Sequence, residues 1–287
     1  MLKIKFIMLV VLGIMLGTIS VKSQAQVMDS PPNDGVYDKT HIQNRMPIPY
    51  APLREADAFW TKRIWRIIDM REKINFPFYF PTTPQNGRRS LMTVILDALK
   101  EGSLPAYDAS SDDEFLIPYT YAEIMTKLTS EDSVEVTDSL PPYNTHWENI
   151  IHEFYPGSVK QFRIKEDWFF DKQRSVMDVR ILGICPILQQ YEEDGTTFKG
   201  VKPLFWIYFP EARPVLAQAE VFNRVNDAEK RSYDDIFFKR LFGSYIYKES
   251  NVYDRKIMEY SRGMDALLES ERIKDEIFIK EHDLWEY

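Results

Sequence analysis

The residues able to do chemistry in this chain are mostly acids standing close together. Glu166-Asp167 with Asp171, Asp234-Asp235, and Asp112-Asp113-Glu114 each place two or three carboxyls in a short stretch. Two carboxyls facing one another across a cleft could act as acid and base, or acid and nucleophile, in a hydrolase. Neighbouring acids equally suit helix N-termini, where they meet the positive end of the helix dipole. The histidines are His41, His146, His152 and His282, and no two of them are four residues apart. With no Cys/His cluster either, zinc-type ligand spacing is absent, and His146 and His152 would need a distant third ligand to share a metal. No Gly-x-Ser-x-Gly elbow and no Gly-rich phosphate loop occurs. The single cysteine, Cys185, cannot form a disulfide within its own chain. Its apolar surroundings suit a small buried hydrophobe, with an intermolecular disulfide or a reactive thiol as the alternatives. These patterns lead to no expected catalytic residue, cofactor or metal.

The stretch that must position most of these groups is Ile164 to Ile187. It opens with charges around Trp168-Phe169-Phe170, passes a polar step at Lys172 to Ser175, and then alternates. Met177, Val179 and Ile181 take one face, while Val176, Asp178 and Arg180 take the other. Alternation with β-branched residues is the strongest strand signal in the chain. From Ile181 both faces are apolar, and Pro186, which has no N–H to give a ladder, is the expected end of the strand. Leu204 to Phe209, bounded by Pro203 and Pro210, is the expected second strand, and Gln189 to Gly200 a polar loop between them. The expected fold is α+β: a small antiparallel sheet, with a central hairpin at about 175–209, packed with several helices.

Helices are expected over Glu55 to Lys73, where Phe59, Trp60, Ile64, Ile67 and Ile68 recur at spacings of three and four. A second runs from a Ser90 cap to Gly102, and a third begins at the Thr120–Glu123 capping box. Pro214 is placed for the first turn of a helix through Phe222. Ser232 starts another, whose stripe continues through Leu241 and Tyr245. Further helices are expected over Asn251 to Tyr260 and Met264 to Glu281.

Net charge is −8, and the first 25 residues hold three lysines and no acid, so the remainder is more acidic still. Such a chain repels phosphate backbones, which excludes nucleic acid as a partner. Lys3 and Lys5 before an apolar run from Phe6 to Ile19, followed by Ser23-Gln24-Ala25, have the form of an export signal cleaved after about Ala25. Fourteen apolar residues are short for a bilayer that needs about 20. No cysteine stands just after the run, so lipid attachment is not expected. Residues 26–53 form a Pro-rich arm, with Pro47, Pro49 and Pro52 favouring an extended strap, and Ile48 and Tyr50 giving it side chains to bury. Such an arm is expected to be ordered mainly by a partner. Residues 54–287 are expected to form a single α+β domain, with a possible internal boundary in the acidic segment 129–145.

Several long blocks, rich in Trp and Phe, carry a resemblance. Met46 to Asn75, Ile164 to Ile181 and Leu204 to Asn223, with YKESNVYDRKI, DALLESERIK and EHDLWE further on, resemble the gliding motility family GldN, called PorN in non-gliding relatives. The resemblance implies a non-enzymatic periplasmic component of the type IX secretion system of Bacteroidota. It implies assembly with the outer-membrane lipoprotein GldK/PorK and with copies of itself in a ring, and contact with the motor subunit GldM/PorM. The chain would then meet the inner face of the outer membrane only through the lipoprotein. No catalytic residue comes with the family.

Candidate interface residues are Ile48, Tyr50, Trp168, Asp178 and Arg180. If the polar face of Asp178 and Arg180 is an assembly surface, Arg180→Glu should leave the fold intact and weaken assembly. Val179→Asp, on the opposite face, should bury an unpaired carboxylate. The rival readings are an exported hydrolase that uses the paired acids, and a small-molecule binding module built on the aromatics near Trp168 and Trp206.

Overall fold

A computed structural model of the protein describes residues 40–110, 113–137, 145–152, 154–191, 198–223, 226 and 228–284. The export segment, the arm up to residue 39, Asp112 and the middle of the acidic segment at 138–144 lie outside the described residues.

In chain order, a short helix α1 (Thr40–Gln43) leads through an extended strap to strand β1 (Ala58–Asp69). Helices α2 (Phe76–Tyr79) and α3 (Leu91–Glu101) follow, then the short pair β2 (Ala106–Tyr107) and β3 (Pro118–Tyr119). Helix α4 (Tyr121–Leu128) precedes a separate hairpin of β4 (Ser130–Thr137) and β5 (Thr145–His152). The central hairpin is β6 (Val159–Asp171) with β7 (Val176–Tyr191), followed by β8 (Phe198–Pro203), β9 (Ile207–Tyr208) and helix α5 (Phe209–Gln218). The chain continues through β10 (Glu220–Val221), β11 (Arg231–Ser232), α6 (Tyr233–Phe238), β12 (Tyr245–Glu249), α7 (Ile257–Tyr260) and α8 (Met264–Asp283). The main antiparallel sheet has the order β12-β1-β6-β7-β8, and β9 also pairs with β7. The fold is α+β.

Residues 55–73 are the largest departure from expectation, because β1 is a strand where the spacing suggested a helix. Its composition explains the outcome: Trp60, Thr61, Ile64, Trp65, Ile67 and Ile68 are β-branched or aromatic and suit a pleated surface. Both faces of the strand are covered, so apolar residues fall on both and the period-2 signal blurs into spacings of three and four. Ile64 packs with Ile246, Ile273 and Ile277 on the α8 side, whereas Trp65 packs with Cys185 and Trp206 on the other.

Strand β7 also outruns its expected end. It continues past Pro186 to Tyr191, because the missing N–H falls where the neighbouring strand changes from β9 to β8. The second strand is split for a related reason. Phe198–Pro203, part of it read as loop, forms β8, and only Ile207–Tyr208 of the apolar run pairs. Helix α5 begins at Phe209, with Pro210 in its first turn and Pro214 inside, so Pro214 does not start it. The helix after Ser232 stops at Phe238, and Tyr245 is a strand residue. The region 251–260 is helical only from Ile257. Local punctuation held where side chains bond their own backbone. Ser90 accepts from the Thr93 N–H, Gly102 ends α3 at φ 71°, and both Thr120 and Ser232 close capping boxes.

The large core lies on one face of the sheet, where Ile68, Phe162, Ile164, Ile181 and Ile184 meet α3, α5 and α6. Phe237 sits at its centre, with ring contacts to Phe78, Phe209 and Phe242. Cys185 is wholly buried beside Trp65 and Trp206, and burial pushes its thiol up to about 12, which leaves it protonated and unreactive.

At the end of β1, burial alone would raise the Asp69 carboxyl. Hydrogen bonds from the Arg71 side chain and N–H and from Gln161 outweigh it and bring the group from its ordinary 3.8 to about 2. A depressed carboxyl contributes stability that is present above pH 3.8 and lost as pH falls toward 2. Asp69→Asn is therefore expected to flatten the dependence of melting temperature on pH in that window. An unchanged acid limb would show that Asp69 carries none of it.

Candidate functional site

The interface candidates converge on one place. Beyond Asp171 the chain turns tightly into β7, and residues 176–181 of β7 pair with β6 alone. The strap after α1 lies beside this open edge, which spares the sheet a bare row of backbone donors and acceptors. Cations hold it there. Arg213 Nη2 donates to the Ile48 carbonyl at 2.6 Å, Arg180 Nη2 donates to the Ala51 carbonyl, and Arg45 pairs with Asp235 at 2.8 Å. The Tyr50 ring lies 4.2 Å from the Arg213 guanidinium and 5.2 Å from that of Arg180, and stacks on Phe238. Burial pushes its hydroxyl above the ordinary 10, with Arg213 opposing.

Residues 45–51 are therefore seated on their own chain, which corrects the expectation that a partner orders this part of the arm. Ile48 supplies its carbonyl while its side chain faces outward, half exposed. Arg180 is also not a free surface charge: it lies over the Phe169 ring and holds the strap. Arg180→Glu should consequently loosen the strap as well as alter a surface. Asp178 pairs with Arg174 at 3.1 Å and accepts from the Val179 N–H. Val179 lines a groove and is half-buried, so Val179→Asp places its carboxylate there rather than in the deep core.

Two grooves of about 400 Å³ each flank a wall made by Trp168 and Arg240. The first runs toward the strap, lined by Tyr50, Met177, Val179 and Phe238. The second runs toward α8, lined by Arg66, Phe242, Ser244 and Phe278. Beneath the wall lies Glu166, with no exposed side-chain surface. Its carboxylate is 3.3 Å from Arg66 and 3.0 Å from Arg240, and accepts from Trp168 Nε1 at 3.1 Å. Both guanidiniums lie over the Trp168 ring, at 5.8 and 5.3 Å. Burial lowers the Arg66 pKa, and Glu166 opposes it.

Apart from Glu114, the described members of the paired acids are thereby accounted for. Asp167 makes a two-pronged bond to Arg63 at 2.7 and 2.8 Å on the opposite sheet face from Glu166. Asp171 accepts from the Gln173 and Arg174 N–H groups and from Arg174 Nε, closing the turn into β7. Asp234 is held by Arg213 at 2.8 and 3.1 Å, Asp235 caps α6, and Asp113 pairs with Lys165. None of these carboxyls faces another across a cleft. Among the described residues no group of His, Cys, Asp and Glu side chains is placed to hold a metal.

Residues 53–286 match the family model described as Gliding motility associated protein GldN. The chain belongs to the GldN family. It is accordingly a component of the gliding motility and type IX secretion machinery, in a family not known for catalysis. No match was found among curated proteins. The grooves on either side of Trp168 are thus surfaces of a GldN-family protein, lined by cations and aromatic rings. Reasoning from the sequence put Arg66 only on a basic face with Lys62, Arg63 and Arg71, and did not find Arg213, Arg240 and Phe238, because nothing local marks an arginine that pairs with an acid tens of residues away.

Tyr50→Ala in this GldN-family chain should free the strap without unfolding the domain. The lost stack and cation–π contacts amount to about 1–2 kcal/mol. Faster tryptic cleavage at Arg45 and Arg54, with the rest of the chain intact, is the expected result; unchanged cleavage would show that the backbone contacts suffice.

Proposed function

We propose that this protein is a non-enzymatic structural part of a periplasmic ring in the type IX machinery. In this reading it assembles with a GldK/PorK-type outer-membrane lipoprotein and touches a GldM/PorM-type motor subunit. The observation that carries the reading is the family match across 53–286, joined to a site whose acids are spent on holding the fold. In this reading the chain works in the periplasm, at the inner face of the outer membrane, after removal of its first 25 residues or so, a step that the charged and apolar N-terminal segment supports. The lipoprotein, not this chain, would anchor the assembly.

Purification of the native protein from detergent-extracted membranes, with imaging of the particle, tests the assembly. The expected result is a large closed particle containing the lipoprotein and several copies of this chain. Recovery as a monomer without partners would overturn the reading. Mass spectrometry of the same material should find a first residue near Gln26, and an intact residue 1 would overturn the export step.

A further inference from the structure

We propose that two copies of this chain associate head to tail, with the loop Asp113–Pro118 of one seated in the Arg66–Trp168–Arg240–Phe278 groove of the next. The proposal rests on the assembly reading above and names the surfaces that carry one of its contacts.

The loop is built to present its tip. Phe115 holds φ 59°, a left-handed conformation that a bulky residue adopts only where its surroundings enforce it. The enforcement is visible: the Phe115 ring is packed among Tyr107, Trp206 and Tyr208 and lies against Gly183, where a Cβ would stand 2.6 Å from the ring. On the other side of the strained residue, Asp113 accepts from Trp65 Nε1, and Lys165 Nζ donates to its carbonyl at 2.6 Å. So fixed, the turn leaves Leu116 66% and Ile117 51% exposed, with Glu114 also on the surface. Two large aliphatics on an anchored loop bury little in their own chain.

The groove faces the other way. Trp65 and Lys165 hold the loop, and the next residues along the same strands, Arg66 and Glu166, belong to the groove and its floor. Successive strand side chains point to opposite faces, so loop and groove lie on opposite sides of the sheet. A contact joining two such different surfaces is heterologous: it leaves a free loop and a free groove at the ends, and repeats into a ring or a filament.

Charge matches as well. The chain is acidic, yet Arg66, Arg174, Arg240 and Lys274 line the two grooves against only Asp178 and Glu281. Their partner carboxylates Glu166, Asp171 and Glu271 stand outside the lining. Arg66 is more than nine-tenths buried, with its Nε 3.3 Å from Glu166 and its Nη1 donating to Ser244. The loop brings no cation and an exposed acid, Glu114, while Asp113 is paired with Lys165 of its own chain. Its aliphatic pair would meet Trp168, Phe242 and Phe278.

Cross-linking decides the matter. Leu116→Cys and Phe278→Cys are made in two differently tagged full-length chains, which are mixed and treated with a short bis-maleimide; buried Cys185 does not compete. The expected products are mixed dimers from the two single variants and a ladder of multimers from the double variant. Self-cross-linking of Leu116→Cys alone would mean a symmetric contact and overturn the proposal. Absence of both products, where sizing shows the wild-type chain self-associating, overturns it and leaves the assembly reading standing. A wild-type chain that is monomeric and missing from any extracted particle brings down both. As a second readout, Leu116→Asp should keep its melting temperature, since the site is exposed, and weaken self-association about tenfold or more. Wild-type self-association by that variant would overturn the proposal.

Discussion

Glu166→Ala is expected to destabilise the protein by about 3–5 kcal/mol, the range found when one partner of a buried ion pair is removed. The wild-type carboxylate has no exposed surface and is shared by Arg66 and Arg240, with a third bond from Trp168 Nε1. Its loss leaves two guanidiniums about one buried wall with nothing between them, repelling each other. A domain with roughly 5–15 kcal/mol in total would lose a large part of its margin. Chemical denaturation of the variant, read by tryptophan fluorescence, is the measurement. Glu166→Gln keeps the shape and removes the charge, so a comparable loss there would assign the effect to electrostatics rather than a cavity. A variant as stable as the wild type would show that the arginines turn to solvent at little cost.

Arg213→Ala should have an effect of similar size with a different signature. The guanidinium holds Asp234 by two bonds, with both side chains more than nine-tenths buried, and reaches over to the Ile48 carbonyl and the Tyr50 ring. Removing it strands a buried carboxylate, at about 3–5 kcal/mol, and unseats the strap. The double variant Arg213→Ala, Asp234→Ala should recover part of the stability, because no charge is left unpaired, but should not reseat the strap. Denaturation reports the first effect, and tryptic cleavage at Arg45 and Arg54 the second. Recovery of both in the double variant would mean that the strap is held without Arg213.

Short-range features were legible before any fold was known. Ser90, Gly102, Thr120 and Ser232 cap helices because each bonds backbone within a few residues of itself, and the alternation from Met177 to Ile181 marked a strand for the same local reason. The family was also legible, since long runs rich in Trp and Phe are specific wherever they fold, and so was the α+β class. Tertiary structure decided what depends on covering both faces of an element. Residues 58–69 became a strand because apolar cores on both sides of the sheet reward a pleated ribbon, whatever the helical spacing of their isoleucines. Pro186 stays inside β7 because the neighbour changes at that point. The acids that looked catalytic, and the candidate interface residues, were assigned by partners far along the chain: Glu166 by Arg66 and Arg240, Asp234 by Arg213, Tyr50 by Arg213 and Phe238. A sequence records which side chains carry charge. Only the fold brings two of them within 3 Å of each other, and in a buried site that distance separates an ion pair from an active carboxylate.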